Sequence, residues 1–208
     1  MLQLKTVEPG TFAILENLMK MPELQDFSLV GETALSLLYG HRISDDLDIF
    51  INTKFENSQI INAMKKQFGN EFKVEEKPPF FGIFCYVGNL KIDIVRFPHP
   101  IIRPIIEIDG IRMYSPEDIV AMKVQAILGR GKKKDFWDIM ELLDHFSVED
   151  FVNFHHEKYS TQNLLISVPQ VMTYFDDAED DEDPISLKGQ TWALVKKNIQ
   201  KKVRDYLS

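Results

Sequence analysis

Apolar positions along the chain alternate with a period of two in some stretches and recur every three to four residues in others. The chain therefore reads as strands interleaved with helices. Phe12, Leu15 and Leu18 share one side of a short helix around 11–20. The FSLV segment at 27–30 is a short strand entering Gly31, 33–39 reads as a helix, and LDIFIN at 47–52 reads as a strand. Phe55, Ile60, Ala63, Met64 and Phe68 place a helix over 55–68. EFKVEE, FFGIFCYV and LKIDIVRF then follow as strand-like runs parted by KPP and GN. PIIEI and IRMYS flank Asp109-Gly110, a two-residue hairpin signal.

Beyond Ser115 the texture turns helical. Ser115 is an N-cap, Pro116 a first helical residue, and Glu117 and Asp118 supply first-turn acids. One helix is expected to about residue 128, a second over 133–145, and the last over about 188–206. The pattern predicts an α+β chain: a mixed-sheet α/β domain over 1–115, a helical domain over 116–208, and a cleft between them.

Asp46 and Asp48 lie two apart at the head of the LDIFIN strand, so their side chains project from one face. In LKIDIV, Leu90, Ile92 and Ile94 take one face while Lys91, Asp93 and Val95 take the other. Three carboxylates brought together from two neighbouring strands suit a hard divalent cation, which prefers oxygen ligands. The Gly31 turn opens a helix whose N-terminal N–H groups can receive a phosphate. These are the parts needed for chemistry on a nucleoside triphosphate.

Composition narrows the reading. A net charge of −8 over 208 residues argues against a protein that coats nucleic acid by bulk attraction. Seven of the acids sit in DDAEDDED at 176–183, which reads as a solvated loop or helix end. Cys85 is the single cysteine, in an apolar strand, so a disulfide or cysteine-based zinc site is ruled out and a reducing cytoplasm is the natural setting. No apolar run is long enough for a membrane helix, and the first residues lack a secretory-signal pattern. His155-His156 has no carboxylate at metal-ligand spacing, and neither a G-x-S-x-G elbow nor a Walker A loop occurs.

Gly31-Glu32-Thr33-Ala34-Leu35, then His41-Arg42, Ser44 and Asp46-Leu47-Asp48, resembles the first signature of the AbiEii toxin family of nucleotidyltransferases, GGTAL…HR-x-S-x-DLD-x-F. Lys123, Arg130 and Lys134-Asp135-x-x-Asp138 resemble its second, K-x-x-A…R…KD-x-x-D. The resemblance implies a polymerase-β-like nucleotidyltransferase fold, an NTP substrate and membership of toxin–antitoxin or phage-defence systems. It implies that Asp46, Asp48 and Asp93 hold two Mg²⁺ ions and are the catalytic residues. It further implies that Gly31, Thr33, Arg42, Lys91, Lys123, Arg130 and Lys134 surround the nucleotide. The acceptor it implies is RNA, such as a tRNA end, or a protein hydroxyl, with an antitoxin as a further partner. Glu32 departs from the family's second glycine and sets a carboxylate beside the expected triphosphate. A non-catalytic nucleotide- or antitoxin-binding module, or an aminoglycoside-type small-molecule nucleotidyltransferase, would share the same carboxylate set. Arg42 is equally suited to pairing with Asp45 or Glu32, Asp135 to capping its helix, and Phe136 and Trp137 to the core.

Overall fold

The computed structural model describes residues 1–74 and 76–208. Seven strands form one mixed sheet: β1 (Ser28–Val30), β2 (Leu47–Ile51), β3 (Phe72–Val74), β4 (Gly82–Val87), β5 (Leu90–Arg96), β6 (Ile106–Ile108) and β7 (Ile111–Met113), in the order β3-β4-β5-β2-β1-β7-β6. Of the strand expected over 71–76, Phe72–Val74 is strand, and position 75 lies outside the described residues. β2 pairs parallel with β5 and antiparallel with β1, while β4 pairs antiparallel with β5. The β6–β7 hairpin turns on Asp109 and Gly110, at φ 53° and 80°. Positive φ at both central positions is what a type I′ turn requires, and it accounts for the Asp-Gly pair.

Helices α1 (Pro9–Lys20), α2 (Gly31–Tyr39) and α3 (Asn57–Phe68) accompany the sheet. α1 packs on β7, α3 on β3 and β4, and α2 on β1 and β2. The Arg112 guanidinium donates to the carbonyls of Met19, Leu24 and Phe27, tying the end of α1 and its following turn to β7. Every strand precedes Pro116. Then come α4 (Pro116–Gly129), α5 (Lys133–Leu142), α6 (Val148–Lys158), α7 (Val168–Met172) and α8 (Trp192–Leu207).

The central helix of this half is α4, which touches α2, α5, α6 and α7. Ser115 caps it by accepting from the Asp118 backbone N–H. From Asp135 to Leu142 every residue of α5 is buried, and such a helix must pair each polar group it carries. Phe136 and Trp137 join this core, with the Trp137 ring stacked on Trp192. The last helix starts at Trp192, later than the pattern at 188 suggested, because Gly189 takes a left-handed φ of 67° and Thr191 is the N-cap, accepting from the Leu194 N–H. Ile43 N–H donates to the Ile185 carbonyl and Leu187 N–H to the His41 carbonyl, so 185–187 straps the helical half to the segment before β2.

Candidate active site

The β1–α2 junction is a tight one. Gly31 adopts φ 71°, a left-handed conformation that favours glycine, and a Cβ there would sit 2.8 Å from Asp48 Oδ2. The glycine therefore lets the start of a helix approach the Asp48 carboxylate closely. Directly across the parallel β2–β5 pair, Asp48 stands opposite Asp93, with Val30 opposite Asp48 on the other side. Neighbouring strands lie about 4.8 Å apart, so the two acids are side by side on one face. Asp46 precedes β2 on that face, half-buried.

Electrostatics mark the same place. Burial, reinforced by the neighbouring Asp93 and Glu32 carboxylates, pushes the Asp48 carboxyl up to about 6. Burial also raises Asp46, against the lowering pull of Lys91 and Lys134. Lys91 Nζ donates to Asp93 Oδ2 at 2.7 Å, leaving Asp93 Oδ1 buried and, among the described residues, without a partner. Burial works against the Lys91 ammonium, but the hydrogen bond and charge of Asp93 outweigh it and raise its pKa. Among the described residues, no three carboxylate, imidazole or thiol groups converge into a ready-made ion cage. The donor set nevertheless fits a hard cation. It is all oxygen, it carries a surplus of negative charge that burial makes costly, and it includes an unpartnered buried carboxylate oxygen.

Behind the carboxylates lies a buried ionic network that joins the two signature segments. Asp138, fully buried on α5, accepts from Arg42 Nε at 2.7 Å, Arg42 Nη2 at 2.9 Å and His41 Nε2 at 2.7 Å, and pairs with Lys123 Nζ at 2.6 Å. Burial alone would raise its pKa; Arg42 and Lys123 reverse that and hold it well below the usual carboxylate range. Asp135 binds Lys123 Nζ and both Nε and Nη2 of Arg130, each at 3.0 Å. Asp135 and Asp138 are three residues apart on one helix, so they share Lys123, while Arg130 pairs with the first and Arg42 with the second.

Glu32 is neutralised on both oxygens, Oε2 by Arg42 Nη2 at 2.7 Å and Oε1 by Lys134 Nζ at 2.5 Å. Burial acts to raise its pKa, and Lys123 and Arg42 override it, so the carboxyl is lowered. The departure from glycine is thus matched by cations already in the signatures.

The residues singled out from the sequence fall into two groups. Gly31, Asp46, Asp48, Lys91 and Asp93 meet around the β2–β5 face. Arg42 and Lys123 are buried in the ionic network, while Arg130 and Lys134 keep side-chain exposures of 49% and 32% at its rim. Thr33 is buried, its hydroxyl held by Ser44 Oγ at 2.7 Å and the Asp46 carbonyl, and it braces the turn that presents Asp46. Asp135 and Asp138 anchor the network; their sign in the sequence is that both acids of the second signature lie, with Glu141, on a helix buried from residue 135 to its end.

Two cavities flank the carboxylates. One, of about 190 Å³, is lined by Gly31, Asp48, Phe50, Ile119, Met122 and Arg130 among others. The second, about 340 Å³, lies on the Asp46 side and includes Asp45, Asp181, Glu182 and Asp183. Part of the acidic run is therefore engaged with the protein: Asp181 Oδ2 accepts from Lys133 N–H at 3.0 Å and Asp183 pairs with Lys133 Nζ at 3.0 Å.

A mixed sheet with paired strand carboxylates beside a glycine-opened helix, followed by packed helices, is a polymerase-β-like fold, and the family match makes its class nucleotidyltransferase. The family model for the nucleotidyl transferase AbiEii toxin, of a type IV toxin–antitoxin system, matches residues 13–205, and the chain belongs to that family. An uncharacterized protein of Aquifex aeolicus is 30% identical over 203 residues, 93% of this chain and 94% of that protein. A crystal structure of a Helicobacter pylori protein described as a nucleotidyltransferase shares the fold at TM-score 0.58 and 20% identity, covering 95% of this chain and 94% of its own. JHP933 from H. pylori shares it at TM-score 0.51 and 20% identity, covering 99% and 94%. No helix among the described residues is long and apolar enough to cross a membrane.

Proposed function

We propose that the protein transfers a nucleoside monophosphate from an NTP to an acceptor hydroxyl, RNA or protein, and releases pyrophosphate. The observation that carries this reading is the direct register of Asp48 with Asp93 beside the close approach of Gly31. Asp46, Asp48 and Asp93 would hold Mg²⁺, which when bound neutralises phosphate charge and lowers the pKa of a bound hydroxyl. Gly31 and the first N–H groups of α2 receive a phosphate at the helix N-terminus. In the transfer, the acceptor oxygen bonds to the α-phosphorus as the bond to the β-phosphate oxygen breaks. Asp93 Oδ1, unpartnered among the described residues, would take the hydroxyl proton, while Lys91 holds Oδ2 at 2.7 Å.

Lys91, Arg130 and Lys134 retain exposed side-chain surface and supply positive charge to the triphosphate. Arg42 and Lys123 act one layer back, holding Glu32, Asp135 and Asp138 in place. The family's description as a toxin of a type IV toxin–antitoxin system supports a restraining antitoxin, and a role in phage defence is proposed with it. A second reading, a cationic small-molecule acceptor of aminoglycoside type, draws on the acid-lined cavity beside Asp46.

The test is incubation with each α-³²P-labelled NTP, Mg²⁺ and either total RNA, protein or an aminoglycoside. Label on RNA or protein that disappears in Asp48→Ala supports the proposal, and label on the aminoglycoside alone favours the second reading. Transfer that survives Asp48→Ala would refute both.

A further inference from the structure

The face that carries the carboxylates continues across the sheet beyond β5. Phe84 stands opposite Asp93 and Tyr86 opposite Lys91 in the β4–β5 pair, and β3 adds Lys73 opposite Tyr86. Directly paired residues share a face. One row therefore reads Lys73–Tyr86–Lys91, and the next reads Phe84–Asp93–Asp48. The intervening residues Ile83, Cys85 and Val87 are buried on the opposite side, so β4 turns its aromatic residues towards solvent, Tyr86 at 46% exposure. Together these side chains line a groove of about 370 Å³ that ends on Asp93. Phe81 packs edge-on against Phe84, and Phe80 against Phe81, extending the aromatic surface away from the carboxylates.

The two approaches to the carboxylates differ in charge. On the Asp46 side the cavity wall carries twice as many carboxylates as cations, Asp45, Asp181, Glu182 and Asp183 among the acids against Lys132, Lys134 and the buried Arg42. On the Asp93 side the groove offers Lys73 and Lys91, with Asp93 as its acid. A polyanion is repelled at the first and drawn to the second. Aromatic side chains flanked by lysines are also the chemistry of a single-stranded nucleic acid platform, where bases stack and phosphates meet cations.

We propose that this groove is the acceptor site and that it takes the end of a single-stranded nucleic acid. The last base stacks on Tyr86 beside Phe84, Lys73 holds a backbone phosphate, and the terminal hydroxyl is delivered to Asp93. This assignment rests on the nucleotidyl-transfer reading, and it selects RNA over protein as the acceptor within it.

Binding tests the groove separately from chemistry. The probe is a fluorescein-labelled single-stranded RNA of about ten nucleotides with a free 3′ hydroxyl, a length within the usual range of such platforms. NTP affinity is measured in parallel by calorimetry with Mg²⁺. Tyr86→Ala should weaken the RNA about tenfold, the size of one lost base stack. Lys73→Glu should weaken it as well and flatten its salt dependence. Both variants should bind NTP as the wild type does, which also shows that they are folded. RNA bound equally by wild type and both variants, or not bound by the wild type, would overturn the groove assignment. Transfer to a protein that Tyr86→Ala leaves unchanged would overturn it too. Failure of the wild type to bind any NTP would instead remove the transfer reading, while the RNA measurement would still decide whether the groove binds a strand.

Discussion

Replacing Asp48 by asparagine should stabilise the metal-free protein while abolishing transfer. The Asp48 carboxyl rises from an ordinary 3.8 to about 6 on folding, so the native state binds its proton more tightly than the unfolded chain does. A raised carboxyl lowers stability as pH climbs through the window between these two values, and the loss is complete above it. A shift of about two units corresponds to about 3 kcal/mol, at 1.36 kcal/mol each. Asparagine keeps the shape and removes the charge, so Asp48→Asn should gain up to about 3 kcal/mol near pH 8 and little near pH 4. For a chain of this size that is a rise in Tm of roughly 6–12 °C.

Thermal unfolding in chelator across this pH range reads the effect directly. Repeating the scans with Mg²⁺ adds a second reading, because a cation that binds only the native wild type raises its Tm by mass action and leaves the variant behind. Equal Tm values for the two proteins near pH 8 in chelator, or a gap that ignores pH, would refute the electrostatic reasoning. A Mg²⁺ response shared by both would refute the assignment of Asp48 as a ligand.

Other substitutions probe the surrounding parts. Gly31→Ala forces a side chain into a left-handed backbone and against Asp48 Oδ2, and should cost about 1–3 kcal/mol in urea unfolding along with NTP binding. Asp138→Ala leaves Arg42 and Lys123 short of a buried partner, with an expected loss of about 3–5 kcal/mol; a loss below about 1 kcal/mol would show that the network carries little. Glu32→Gln removes one negative charge beside the phosphates and frees Lys134, so calorimetry should show NTP binding tightened by about tenfold, one charge interaction at short range in a partly wet site; unchanged affinity would mean Glu32 is already fully silenced. Lys158→Met strips Asp118 of its 2.6 Å partner in a fully buried pair and should lower the unfolding free energy from urea titration by about 3 kcal/mol or more.

Period and punctuation in the sequence indicate most of the elements. Alternation in LKIDIVRF matches β5, Asp109-Gly110 matches the hairpin, and Ser115-Pro116 marks the start of α4. The ends were less legible: α2 begins at Gly31 itself, and α8 begins late because Gly189 is left-handed and Thr191 caps the helix. Strand order is a long-range property, and nothing local in β3 or β6 marks them as the two sheet edges. The carboxylate set could be picked out because alternation alone assigns each acid to a face. The ionic network was harder to foresee, since pairing Arg42 with Asp138 spans 96 residues. Lys158 did leave a trace: it follows Phe151 and His155 at helical spacing, on the stripe that faces the core.

The Arg42–Asp138 link also sets when the protein can first become active during its own synthesis. Until α5 has left the ribosome, Arg42 lacks its strongest counter-charge, and Lys123 lacks both of its aspartates. A partly made chain, or one cut short before residue 138, would have to desolvate these cations alone, which is prohibitive in a protein interior. The amino-terminal sheet therefore depends on the later helices before its site can be complete.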